Sequence, residues 1–148
     1  MKLQELESYE NPIGDAQALI IRQKEAGQLT YETEPFRVLR VDAPSKNNVL
    51  LACQVANDFI SIKGNGNTHI EAAHTAFQQA LGSAAESVEI VNHYVRYASH
   101  DTVEGYVKFR SNGTVWTSKV VRDTRLQASF DAVADGYRYH LLQNYGRV

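Results

Sequence analysis

The chain has 148 residues and a formal net charge of −2, a length that suits one domain burying roughly 70% of its extended-chain surface. Its Lys and Arg are scattered, so no basic stripe points to nucleic acid and no charged tail to disorder. The single cysteine, Cys53, excludes an intrachain disulfide and fits a reducing, cytoplasmic setting, and no apolar run is long enough to span a membrane.

Met1 to Glu7 is acidic and amphipathic, unlike a signal peptide. Residues 2–8 are expected to form a short helix that Asn11-Pro12 interrupts, because proline disfavours helix in the residue before it. A second helix runs from about Asp15 to Ala26. Its apolar face is Ala16, Leu19, Ile20 and Gln23, and Gly27 closes it. Residues 28–35 read as a connector, so 1–35 forms an N-terminal helical and connecting segment.

From Phe36 the texture changes to strands. Phe36 to Val41 is the first, followed by a turn at Ala43 to Asn48. Val49 to Ala56 is the second, with Asn57-Asp58 as its hairpin turn. Cys53 lies in this apolar strand and reads as packing. Phe59 to Ile62 returns, and a helix runs from Ile70 to Leu81, closed by Gly82. Val88 to Ala98 is a long strand with Val88, Ile90 and Val95 inward. Ser99 to Asp101 turns the chain, Thr102 to Phe109 follows, and Asn112-Gly113 carries a hairpin signal. Thr114 to Val121 leads to a helix from Thr124 to about Leu142. Trp116 reads as a packing residue. Tyr137, Tyr139 and Tyr145 lie on or after the last helix; tyrosine enrichment is common at interfaces and also on half-buried helix faces.

This is strand, strand, strand, helix, twice. At an offset of 56 positions Thr68-His69-Ile70-Glu71-Ala72-Ala73 lies over Thr124-Arg125-Leu126-Gln127-Ala128-Ser129. Thr with Glu or Gln three positions on is a capping box in each copy. The fold class is therefore α+β: two pseudo-symmetric βββα units, about 36–82 and 87–144 within a domain of 36–148. Each unit has a one-sided apolar sheet, a helix to cover it, and a second unit to bury against.

The stretch Lys63 to Ala73 organises the first unit. Strand, glycine turn and helix N-terminus follow one another, and such a terminus can hold a carboxylate or phosphate. Gly64 and Gly66 are either points of close backbone approach to a ligand or simply turn residues. Asn67 offers an amide to a ligand or caps the turn.

Gly64-Asn65-Gly66-Asn67-Thr68-His69-Ile70-Glu71-Ala72-Ala73 resembles the G-x-G-N-G-P-[IV]-D-A-A motif of the C-terminal regulatory domain of α-isopropylmalate and citramalate synthases. Trp116 to Ser129 resembles that domain's W-x-T-V-G-V-S-x-N-I-I-E-A-S signature. Between them, Val91-Asn92-His93-Tyr94-Val95 looks like the family's Asp-Tyr strand, and Val103-Glu104-Gly105-Tyr106-Val107 like its A-x-G-x-V strand. Leu3 to Val41 is similar to the connecting region and first strand. The resemblance implies a non-catalytic domain of two βββα units that dimerises. It also implies binding of leucine or isoleucine near the subunit interface, as feedback on leucine biosynthesis. The effector contacts it implies are Gly64, Gly66, Asn67, Thr68, Ile70, Asn92 and Tyr94. Thr68 heads the N–H groups that face a carboxylate, Ile70 lines an apolar pocket, and Asn92 and Tyr94 share a strand face by alternation. The chain departs from the pattern at Thr68-His69 for Gly-Pro, Asn92-His93 for Asp-Tyr, Val120 for glycine and Thr124 for Asn or Asp; the second loop is therefore expected to be bulkier.

The catalytic part of these synthases is a metal-holding barrel of about 250 residues, for which this chain has no room. His69, His74, His93, His100 and His140 are dispersed without ligand spacing, so no metal, no cofactor and no catalytic residue is expected. His100-Asp101 reads as a solvated turn rather than a base and its orienter. A regulatory homodimer, free-standing with a separate synthase catalytic subunit or excised from a longer protein, is one reading. A ligand-free structural or interaction module of the same fold is the alternative.

Overall fold

The computed structural model describes residues 13–144; the helix expected at 2–8, Asn11-Pro12 and Tyr145 lie outside them. The fold is α+β. Helix α1 (Asp15–Glu25) comes first. The first unit is β1 (Arg37–Ser45), β2 (Asn48–Val55), β3 (Asp58–Asn65) and α2 (His69–Leu81). A 3-10 turn at Gly82–Ala84 leads to the second: β4 (Glu89–Ser99), β5 (Thr102–Ser111), β6 (Thr114–Arg122) and α3 (Arg125–Asn144). Each unit holds a separate three-stranded antiparallel sheet, in the orders β1-β2-β3 and β4-β5-β6.

Alternation builds the inner face of each sheet. Val49, Leu51 and Cys53 point inward from β2, and Val103, Val107 and Phe109 from β5. Helix α2 covers β2 and β3, and α3 covers β5 and β6. The helices then pack on each other. The Phe77 ring lies 5.3 Å from Phe130 and 5.5 Å from Tyr137, so both units share one continuous core. Because α3 touches its sheet, α2 and α1, it is buried on nearly every side. Tyr137 is fully buried here rather than at a surface where an interface tyrosine would stand.

The repeat is exact in its threonine caps, though Gln127 turns to Asp131 instead of closing the second capping box, and it is inverted in one packing detail. Thr68 and Thr124 each accept the N–H three residues on at 3.1 Å. Cross-strand pair Val49–Gly64 of the first sheet corresponds, at the same offset, to Gly105–Val120 of the second. Glycine and valine have exchanged strands. A Cβ on Gly64 would stand 2.7 Å from the Ala76 nitrogen, and one on Gly105 would stand 2.8 Å from the Ala128 carbonyl carbon. Each helix thus crosses its sheet over one glycine, with one valine beside it filling the space. Val120 is accordingly a buried strand residue, and the bulk expected in the second loop is not there.

Helix α1 closes the open edge of β6. The Thr117 N–H donates to Asp15 Oδ2 at 2.9 Å, and the Lys119 N–H donates to Gln17 Oε1 at 2.9 Å. Gln17 Nε2 also donates to the buried Ser118 hydroxyl at 2.8 Å. Gln17 is one of the buried residues of α1, where the apolar pattern pointed to Gln23.

Two boundaries differ from expectation for local reasons. Strand β1 continues through Ala43-Pro44-Ser45, where a turn was expected, because an edge strand tolerates proline on its unpaired side. The β2–β3 hairpin turns at Ala56-Asn57, with Ala56 at φ 54°, so Asp58 already pairs with Val55.

Candidate functional site

The glycine stretch opens α2 by a specific set of bonds. The Thr68 hydroxyl takes the Glu71 N–H, and the Thr68 carbonyl takes the Ala72 N–H at 2.9 Å. Glu71 reaches back to the Asn67 N–H at 3.0 Å. Its second oxygen lies 3.7 Å from His93 Nε2, on β4 of the other unit. The His69 and Ile70 N–H groups precede the first intrahelical bond of the helix.

Between α2 and β4 lies a groove of about 440 Å³, lined by Glu71, His74, Ile90, Val91, Asn92 and His93. A bulge in β4 between Ile90 and Asn92 shapes its floor. The bulge leaves Asn92 opposite Lys108 and turns His93 inward, opposite the buried Val107. The Asn92 side chain accepts the His93 N–H at 2.9 Å.

His74 forms the inner wall. Its Nδ1 lies 2.7 Å from the Tyr137 hydroxyl. Burial holds the imidazole below its usual pKa, while the Glu71 carboxylate pulls the other way. Burial also pushes the Tyr137 phenol far up, so it stays protonated beside the imidazole to which it is hydrogen-bonded. The groove therefore presents one carboxylate, one neutral imidazole, the His93 ring, an amide and two aliphatic side chains. That set is chemically complementary to a small cationic or zwitterionic group beside an apolar one. It offers no nucleophile with an activating base, and among the described residues no cluster of three or more potential ligands suits a metal ion.

The sequence-derived site residues fall into three places. Asn67 and Thr68 are exposed at the head of α2, and Asn92 lines the groove between α2 and β4. Gly64 and Gly66 face the helix: a Cβ on Gly66 would stand 2.6 Å from the Ala72 nitrogen. Ile70 is 1% exposed and belongs to the shared core. Tyr94 lies on the outer face of the second sheet, stacked 4.8 Å from Tyr106, with its hydroxyl 2.6 Å from Glu104. Burial and the Glu104 bond push its phenol up to about 12. Alternation places Asn92 and Tyr94 together, yet the residue that meets α2 is His93, between them. Glu71, His74 and His93, with Ile90 and Val91, are the groove residues that the sequence did not single out. Their only sequence signal was the Glu of the capping box and a histidine at the family's Tyr position.

The chain is thus two βββα units about an approximate two-fold, with a groove where one unit's helix meets the other's first strand. A family comparison matches residues 12–141 to the LeuA allosteric (dimerisation) domain. The chain belongs to that family. A search among curated proteins found no match.

Proposed function

We propose that this chain is a regulatory domain that binds a branched-chain amino acid, leucine or isoleucine, as a feedback effector. The carrying observation is the groove at the head of α2, where Glu71, His74, Ile90, Asn92 and His93 converge from both units. Glu71 suits an α-ammonium group, because a charge-assisted bond to a carboxylate is among the stronger ones. The His69 and Ile70 N–H groups at the helix head suit the α-carboxylate. Ile90 and Val91 suit a branched aliphatic side chain. Gly64 and Gly66 hold the turn against the helix, Asn67 and Thr68 rim the site, and Tyr94 stiffens β4 from behind. Because the groove bridges the two units, an effector there biases how they sit on each other. In this reading the domain works as a homodimer in the cytoplasm and acts on a synthase catalytic barrel of the 2-isopropylmalate type.

Calorimetry with leucine, isoleucine, valine and the matching 2-keto acids tests this. One amino acid is expected to bind, the keto acids are not, and Glu71→Gln is expected to weaken binding tenfold or more. Asn67→Ala is expected to weaken it less. A folded protein that binds none of them overturns the sensor reading. That outcome supports a ligand-free interaction module, a reading favoured by the burial of Ile70 in the core.

A further inference from the structure

The four sheet edges of this molecule are treated differently. An unpaired edge is a template for another strand, and proteins blunt it with bulges, proline or a covering element. Strand β1 has two register breaks and Pro44. Strand β4 has two register breaks. Strand β6 is covered by α1, whose Asp15 and Gln17 take its edge N–H groups. Strand β3 pairs with β2 in unbroken register from Asp58 to Asn65 and contains no proline; α2 packs on its inner face, and among the described residues no strand pairs with its outer edge. It also carries Phe59, 73% exposed, the most exposed of the large apolar side chains described.

The repeat tells which β3 groups face outward. Thr117 and Lys119 of β6 correspond to Ser61 and Lys63 of β3 at the offset of 56. The β6 pair sends its N–H groups away from β5, so Ser61 and Lys63 send theirs away from β2. The Gly66 N–H, one parity over, turns to the Asn47 carbonyl at 3.0 Å. A helix like α1 does not fit this edge. Gln17 docks on the Ser118 hydroxyl, and the residue in that place on β3 is Ile62, which has nothing to offer it.

We infer that β3 is the edge through which two copies of this chain dimerise, antiparallel about a two-fold at Ser61. The inference rests on the dimerisation role of the family and names the surface that performs it. In this register Ser61 faces Ser61 of the second copy and Ile60 faces Ile62. Phe59 faces Lys63, whose aliphatic stem lies along the ring. Opposite residues share a face, so the apolar positions continue from one sheet into the next. Contact i to j is matched by j to i, which closes the pair as a dimer rather than a fibre. A six-stranded sheet results, with a copy of α2 in each half.

The test is sedimentation equilibrium of the 148-residue chain and two variants. Phe59→Lys sets two like-charge pairs against Lys63 without removing a core side chain, and circular dichroism confirms that it folds. It is expected to weaken dimerisation tenfold or more. Phe59→Lys with Lys63→Glu restores opposite charges in the same register and is expected to restore the dimer. A Phe59→Lys variant that dimerises as tightly as the unmodified chain overturns the β3 assignment and leaves dimerisation standing. So does a double variant that stays monomeric. An unmodified chain that is monomeric at every concentration overturns the dimerisation reading and this assignment together.

Discussion

Gly64 and Gly105 show how a single position sets the distance between a helix and its sheet. Each sits under an alanine of the covering helix, with its valine partner in the neighbouring strand. Gly105→Ala forces a methyl against the Ala128 backbone, which cannot move without shifting α3. We expect a loss of about 1–3 kcal/mol in urea unfolding, the usual cost of overpacking. His74 makes a second residue-scale prediction. Burial lowers its folded pKa below the model-peptide value of 6.5. The unfolded chain therefore binds the proton more readily, and stability falls as pH drops. His74's contribution is complete above about pH 7 and is lost progressively as pH falls below 6.5 toward the folded value. The groups facing it are Glu71, Tyr137 and His93. His74→Asn keeps an acceptor near the Tyr137 hydroxyl and removes the titration. Its melting temperature between pH 7 and 5 is expected to fall less than that of the unmodified chain.

At the scale of elements, the repeat was legible because cap chemistry is local. Thr with Glu or Gln three residues on fixes a helix start from four residues of sequence, and both starts are where the pattern put them. Glu71 and Gln127 then diverge, one reaching back to the Asn67 N–H and the other forward to Asp131 at 2.8 Å. Strand ends were less legible where tertiary context decides: Pro44 stays in β1 only because that strand is an edge. The edge role of α1 was not legible at all. Nothing local says that Gln17 will be buried, since its partners Ser118, Lys119 and Asp135 lie over a hundred residues on. The groove was half legible for the same reason. Asn92 could be placed by strand alternation, but the approach of His93 to Glu71 needs the two units docked. Gln17→Ala leaves the Lys119 N–H and the Ser118 hydroxyl without their partner. We expect it to cost about 1–3 kcal/mol in denaturant unfolding, because buried polar groups carry the penalty of desolvation. Thr124→Ala is expected to cost about 1 kcal/mol by the same measurement, the usual worth of such a cap.

At the scale of the whole molecule, the question is whether the two units are separable. Their sheets are separate, and each helix covers its own sheet, so the repeat invites the view that each folds alone. The packing argues otherwise. Phe77 is fully buried, and its cover includes Phe130 and Tyr137 of the other unit. His74 hydrogen-bonds across the same boundary. Removing the second unit exposes the inner side of α2 while keeping the chain entropy of ordering a sheet and a helix. A piece of that size is also below the roughly 60 residues at which burial becomes adequate. We therefore expect a peptide of residues 36–82 to be unfolded by circular dichroism and by the narrow amide dispersion of its proton–nitrogen spectrum. The whole chain is expected to melt in one transition, with near-ultraviolet and far-ultraviolet signals coinciding. A folded 36–82 peptide, or two separated transitions, would show that the units are autonomous. An effector bound in the groove would then bridge two independent bodies instead of tightening one core.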